Sequence, residues 1–439
     1  MRRFLLVLAV ALCAPAPAAA ATLFVIDGHG WGHGVGMSQW GARGYAEKGW
    51  RYDRILRHYY RGTEMRAVPA RPVRVLLAQG RPSVTIRSTK PFRVVDARGR
   101  KRVLKAGVQR LVPARLATSK LKLPLRYEPG AAPLQLDGEA YRGALVVHRR
   151  SGTLTVVNKL PLDRYLRGVV PWEMPDDWHP EALRAQAVVA RSYALATLKP
   201  GTLFDLYPDT RSQVYGGIAA EEDTTNRAIG STAGQVVSWQ GRVATTFYHS
   251  TSGGRTTSNA EAWPGATALP YLVPVGDPFD RASKHHSWGP FELTPAEAGR
   301  RLGAGVVRDL VVTRGASGRA TEVAIEGSNG GRLMSSTDFR RALDLRSTWF
   351  TIRVIHLEET TAGRALAAAG RRVVLRGFHR GLRKVRLEQQ VNGGAWSAVR
   401  RVRPRADGWF TVSVAPKRTT SYRLANHVAA GAAITVRRP

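Results

Sequence analysis

The chain has 439 residues, about three times a typical domain near 150, so two to four domains with substantial apolar cores are expected. Hydrophobic residues make up 44% and charged residues 23%, close to globular averages, which excludes a disordered tail protein in spite of 44 glycines and 25 prolines. The 67 Lys and Arg outnumber 32 Asp and Glu for a formal net charge of +35, a balance whose usual partner is a polyanion: nucleic acid, an anionic membrane or an anionic cell wall.

Residues 1–21 read as a secretory signal peptide: Arg2 and Arg3, an apolar run from Phe4 to Cys13, then small residues ending in Ala18 to Ala21. The run is about ten residues, half of the ~20 a membrane-spanning helix needs, so cleavage near Ala20 or Ala21 is expected. Leu12 before Cys13 is a poor substitute for the small residue that lipid attachment uses. With Cys13 the only cysteine, the mature chain is expected to have no disulfide, no Cys-ligated zinc and no thiol nucleophile. Export to the cell envelope argues against nucleic acid and for an acidic envelope polymer or lipid surface.

Residues 22–65 open with the strand-like TLFVI, continue through a segment dense in Gly, His and aromatics, and close with the helical-looking YDRILRHYYRGTEM. Residues 66–157 alternate β-patterned runs, VRVLLAQ, SVTIRS, PFRVVDA, GALVVHR and TLTVVN, with Gly, Pro and basic turns. From 158 to 358 the pattern is mixed: DRYLRGVV has helical spacing, and an Ala-rich helix is predicted from Pro180, since proline is favoured at the first helical position. Its alanines let neighbouring backbone approach closely, which predicts burial. GQVVSW, RVATTFYHS, DLVVTR and TEVAIEG read as further strands. After a boundary at about Thr360 to Gly370, residues 363–439 carry strands every 8 to 12 residues with Asn-Gly-Gly and Asp-Gly turns, as in an immunoglobulin- or fibronectin-like β-sandwich. The fold class is therefore an α+β domain followed by an all-β module.

Three segments carry candidate chemistry. In LPLDRYLRGVVPWEMPDDWHPEALRAQAVVARSYA, Glu173 lies between Trp172 and Met174 and before Pro175. Apolar neighbours raise a carboxyl pKa, which keeps the acid protonated near neutrality and able to donate to a leaving oxygen. Trp172 and Trp178 can stack on sugar faces, while a glutamate that caps or salt-bridges a helix start fits the spacing equally well. Arg184 and Arg191, seven apart, share one helix face that points to a ligand or to solvent. The second segment, FYHSTSGGRTTSNAEAW, clusters hydroxyls and glycines suited to a sugar or acyl site, or to a plain hairpin. His249 and Ser250 are adjacent on a predicted strand and point to opposite faces, which counts against a serine nucleophile. In the third, DGHGWGHGVGMSQWGARGYAEKGW, His29 and His33 are four apart, which makes metal ligation conceivable, but the intervening glycines disfavour a helix and no third ligand follows; a tight loop at a cleft is expected, with no cofactor, and zinc is the lesser alternative.

Taken together, LPLDRYLRGVVPWEMP with EALRAQAVVARSYAL, YHSTSGGRTTS with LPYLVPV, and GHGWGHGVGMSQWGARGYAEKGWRYDRILRHYYRGT resemble the stage II sporulation protein D family and its relatives, the amidase enhancers. The resemblance covers about residues 22–358. It implies a lytic transglycosylase acting on peptidoglycan glycan strands stripped of stem peptides, with Glu173 as the acid and Arg184, Arg191, Thr251 and Tyr271 at positions matching substrate-site residues. Tyr248, His249, Ser250, Ser252, Gly253, His33, Ser38 and Gln39, in the matching motifs, complete the candidate substrate site. The other branch of the family implies a non-catalytic wall binder that stimulates a cell-wall amidase. Asp176 and Asp177, close to Glu173 in sequence, leave two-carboxylate hydrolysis open. Zinc, bound by some members through cysteine and histidine, is not implied for a chain without those cysteines. In the family the GHGVGMSQ segment comes last; here it comes first, so the chain looks circularly permuted, and residues 22–65 are expected to pack beside residues 335–356.

Overall fold

The computed structural model describes residues 20–118, 120–360 and 372–437. The signal-peptide segment up to residue 19 and most of the expected domain boundary lie outside the described residues. The chain forms two compact units, one made of residues up to 28, 289–314 and 320 onward, the other of residues 29–288 and 315–319.

The first unit is a β-sandwich with additions. One sheet has the order Ser287–Leu293, Ala20–His29, Phe350–Glu359, Val373–Arg380, Trp409–Val414; the other has the order Ser397–Arg401, Arg386–Val391, Thr420–Ala425, Ile434–Val436. Alternate residues point to opposite faces of a strand, so Leu23, Val25, Ile355 and Leu357 enter one core with Val373, Leu375, Leu387, Phe410 and Leu424. The C-terminal strands thus form the expected all-β sandwich, but three strands from outside residues 363–439 complete its first sheet. The N-terminal strand pairs antiparallel with the later one, from Thr22 opposite His356 to Gly28 opposite Phe350. That register seats residues 22–28 beside residues 350–356, while residues 29–65 belong to the second unit.

The second unit begins its β-rich part with a six-stranded sheet, in the order Pro72–Arg81, Thr153–Pro161, Ala144–Arg150, Leu125–Glu128, Phe92–Val95, Lys101–Leu104. It packs on a four-stranded sheet through a core that includes Ile86, Phe92, Val94, Leu125, Tyr127, Leu145 and Val147. Beyond it, the predicted helices appear as Leu162–Arg167 and Pro180–Ala196, with Pro180 in the first turn and the His179 Nδ1 accepting from the Glu181 N–H at 3.2 Å. Ala182, Ala185, Ala187, Ala190 and Ala194 are buried, as close approach of neighbours requires.

Two local features differ from the sequence reading. Gln39–Glu47 is a helix in spite of Gly41 and Gly44. The glycines are needed for packing: a Cβ at Gly41 would lie 2.1 Å from the Tyr59 hydroxyl and 2.2 Å from the Asp277 carboxylate, and one at Gly44 would lie 2.2 Å from the Phe279 carbonyl. RVATTFYHS is strand only at Arg242–Val243 and Tyr248–His249. Between them the Thr245 N–H donates to the Tyr271 hydroxyl at 2.9 Å and the Thr246 hydroxyl to the Val189 carbonyl at 2.8 Å, partners that lie outside any sheet ladder. Tyr248–His249 then pairs in parallel with Met37–Ser38, so the GMSQ segment lies beside the YHSTSGG segment.

Candidate active site

Glu173 ends the one-turn helix Val170–Glu173; Met174 is extended, as a residue before proline prefers, and breaks the helix. The Gln39 side-chain amide holds this turn from the other segment, donating to the Glu173 carbonyl at 2.7 Å. The Glu173 carboxyl is half-buried, and its Oε1 accepts the Val214 N–H at 3.4 Å. Burial pushes its pKa above the ordinary glutamate value, while the Tyr248 hydroxyl and the Val214 N–H, which favour the charged form, oppose the rise.

A chain of side chains fixes that hydroxyl. Tyr165 Oη donates to Gln213 Oε1 at 3.4 Å, and Gln213 Nε2 donates to Tyr248 Oη at 3.1 Å. With its oxygen accepting from Gln213, Tyr248 has its own proton to give to Glu173. Burial first, then the negative charge of Glu173, raises the pKa values of Tyr165, Tyr193 and Tyr248, so all three are neutral phenols around the acid. Trp172 is 63% exposed beside it, a free ring face for a sugar. Trp178 is not: it is buried, its ring centroid 4.8 Å from that of Trp40, with the Arg43 guanidinium over both rings. Asp176 and Asp177 are exposed in the turn that follows Pro175.

The remaining candidates divide by the partners they hold. Ser38 caps the Gln39–Glu47 helix, its Oγ accepting from the Gly41 N–H at 3.1 Å and the Ser252 N–H at 3.3 Å. His33 Nδ1 accepts from the Val35 N–H at 3.0 Å, and its ring packs 5.4 Å from that of His249. His249 is buried, with Nδ1 3.2 Å from the Val35 carbonyl. Burial, then the charges of His33 and Arg319, holds its pKa well below the usual histidine range, so it is neutral. The Ser250 hydroxyl lies against Thr251 Oγ1 at 3.2 Å rather than against an imidazole.

Thr251 Oγ1 is bonded to Ser283 Oγ at 2.8 Å, and Asp280 accepts from Ser252 Oγ at 2.9 Å and the Gly253 N–H at 2.6 Å. The Ser-Thr-Ser-Gly run is thus fastened from below. Tyr271 is buried with its hydroxyl on the Thr245 N–H. Arg184 reaches Ser231 and Glu181, and Arg191 is buried on Asp163 at 2.9 Å and on the carbonyls of Gln235 and Ile229 at 3.1 and 3.2 Å. These arginines and Tyr271 hold the scaffold, whereas Tyr248 and Gln39 meet Glu173. Sequence reasoning missed Gln213 and Tyr165: the first stands in a loop without a pattern, the second reads as a core position of an amphipathic helix.

His29 Nδ1 lies 3.1 Å from Ser287 Oγ. Among the described residues, no group of three or more His, Cys, Asp or Glu is arranged to hold a metal ion.

The fold and the site define an α+β protein with one half-buried carboxylic acid set among tyrosines beside an open indole. Residues 150–239, which include Glu173, match the family described as Stage II sporulation protein. The chain is 31% identical over 235 residues to an uncharacterised protein of Brachyspira hyodysenteriae, covering 50% of this chain and 61% of that one. It is 41% identical over 116 residues to the Amidase enhancer of Bacillus subtilis, 26% of this chain and 15% of that one. It is 32% identical over 216 residues to the Stage II sporulation protein D of Bacillus amyloliquefaciens, 44% and 60% of the two chains. The chain thus spans about three-fifths of two of these relatives and a small part of the enhancer. No solved structure matches it. The resemblance read from the three motif segments is borne out.

Proposed function

We propose that this is a secreted, wall-directed lytic transglycosylase that cleaves the bond between N-acetylmuramic acid and N-acetylglucosamine in peptide-stripped glycan strands. The observation that carries the reading is Glu173: one carboxyl, raised by burial and met by a hydroxyl whose proton is directed by Gln213. A protonated Glu173 donates to the glycosidic oxygen as the C1–O bond breaks. The resulting carboxylate takes the proton of the muramoyl C6 hydroxyl, whose oxygen closes on C1. The acid is regenerated and the product is a 1,6-anhydro sugar, with no water consumed and no cofactor required. Trp172 supplies a stacking face for a sugar ring, and Tyr248 steadies the carboxylate stage.

The test is mass spectrometry of soluble products after incubation of the protein, and of Glu173→Gln, with peptide-free glycan strands. Anhydromuramyl products from the unaltered protein alone are the expected result; reducing-end products from it mean a hydrolase and overturn the ring-closing step. A second reading, a non-catalytic wall binder that stimulates an amidase, is favoured by the 41% identity over 116 residues to a protein named Amidase enhancer. It predicts no cleavage, retained sedimentation with peptidoglycan and a faster amidase in its presence.

A further inference from the structure

The six-stranded sheet has a second face, which the proposed chemistry does not use. Residues directly opposite on antiparallel strands share a face. Lys159 is opposite Arg74, Val157 opposite Val146, and Arg126 opposite both Val146 and Val95. The residues between them, Val156, Leu145, Leu125 and Val94, enter the core between the sheets, so this set forms the outer face. There it lines a cleft of about 510 Å³, the size of a small-ligand site, with Val95, Val146 and Val157 on the floor.

The polar groups around that floor are unevenly committed. Arg74 is paired with Asp205 at 2.7 Å and Arg126 with Glu128 at 2.8 Å. Asp96, the acid at the edge, is occupied by the backbone N–H groups of Arg98, Arg100 and Lys122 and by the Arg100 side chain. Lys159 is exposed, and neither its side chain nor that of His148 has a hydrogen-bond or ion-pair partner among the described residues. Burial, then the charge of Arg150, lowers the pKa of His148, so near neutrality it offers an uncharged imidazole suited to a hydroxyl. The surroundings are strongly cationic: residues 66–161 contain 21 Lys and Arg against 4 Asp and Glu.

We propose that this cleft binds an anionic saccharide or polyol unit of a wall polymer, with Lys159 on the acid group, His148 on a hydroxyl and the valine floor under the carbon skeleton. A bare inorganic anion would leave the valine floor unused, and a neutral sugar would leave Lys159 unmatched. Two wall sources share this chemistry: the lactyl carboxylate of muramic acid in glycan strands, and the phosphate of a polyol-phosphate chain. The site deepens the wall-directed reading but does not depend on Glu173 chemistry.

The experiment uses the full chain carrying Glu173→Gln, so that nothing is cleaved, titrated calorimetrically with peptide-free glycan strands and with polyglycerol phosphate. Adding Lys159→Glu and His148→Ala is expected to weaken one of the two by about tenfold. Lys159→Ala alone, at an exposed position where folding is not at issue, is expected to weaken it several-fold. Arg400→Glu, on the exposed strand Ser397–Arg401, serves as the charge control and is expected to have less than about a twofold effect. Loss confined to glycan strands assigns the carboxylate, and loss confined to polyglycerol phosphate assigns the phosphate. Unchanged binding of both polymers by the cleft variants, or an equal loss from Arg400→Glu, overturns the site, whatever the cleavage assay shows.

Discussion

Glu173 works through the company it keeps. Burial favours its protonated form and the Tyr248 hydroxyl favours its carboxylate, so the residue is held between the two states that the proposed acid-then-base chemistry would use. Removing the hydroxyl with Tyr248→Phe takes away an interaction that lowers the Glu173 pKa, so that pKa rises. The group then stays protonated to higher pH, and the alkaline limb of the kcat/KM profile moves upward. Because the carboxylate stage loses a charged hydrogen bond, kcat is expected to fall about tenfold. A pH–rate profile checks both effects, and an alkaline limb that stays in place or moves down removes Tyr248 from this role. Glu173 was legible in sequence because an acid flanked by tryptophan, methionine and proline is unusual; Gln213 was not, because a loop glutamine becomes directional only when two tyrosines meet it in space.

At the scale of elements, the Ala-rich helix was read as buried from composition alone, but the role of its arginine was not. Arg191 is 1% exposed and joins Pro180–Ala196 to Leu162–Arg167 through Asp163 and to the Asp223–Ser231 helix through the Ile229 carbonyl. Arg191→Ala leaves those acceptors without a donor and is expected to destabilise the fold by about 3 kcal/mol. Chemical denaturation measures it; an unchanged midpoint with lost cleavage would instead return Arg191 to the substrate. The Gln39–Glu47 helix makes the opposite point. Its glycines give a poor intrinsic propensity, and the helix forms because the absence of Cβ atoms lets Tyr59, Asp277 and Phe279 close against it.

For the molecule as a whole, the C-terminal strands are not a detachable appendage. They share a core with Leu23, Val25, Ile355 and Leu357 from chain segments more than 300 residues apart. Truncation after Thr360 strips the cover from these four side chains, each worth about 1.5–3 kcal/mol of burial, a sum comparable to a whole domain's stability. The truncated protein is expected to be insoluble or to melt well below the full chain, as sedimentation and thermal unfolding would show; a soluble monomer with an unchanged melting temperature would contradict it.

Alternation with period two and spacing near 3.6 were sufficient in sequence for the strands of residues 66–157, the C-terminal strands of the sandwich and the two helices around Glu173, because those patterns state locally which face is apolar. The motif segments were likewise sufficient for the family resemblance, Glu173 included. What only the tertiary structure decided is which partners the polar groups take. Arg184, Arg191, Thr251 and Tyr271 carry side chains fit for a ligand, and each takes a partner within the protein, while Gln39, from a segment at the far end of the chain, is bonded to the Glu173 turn. A hydrogen bond between residues 134 apart leaves no local pattern, since its energy depends on where the chain returns and not on what stands beside it.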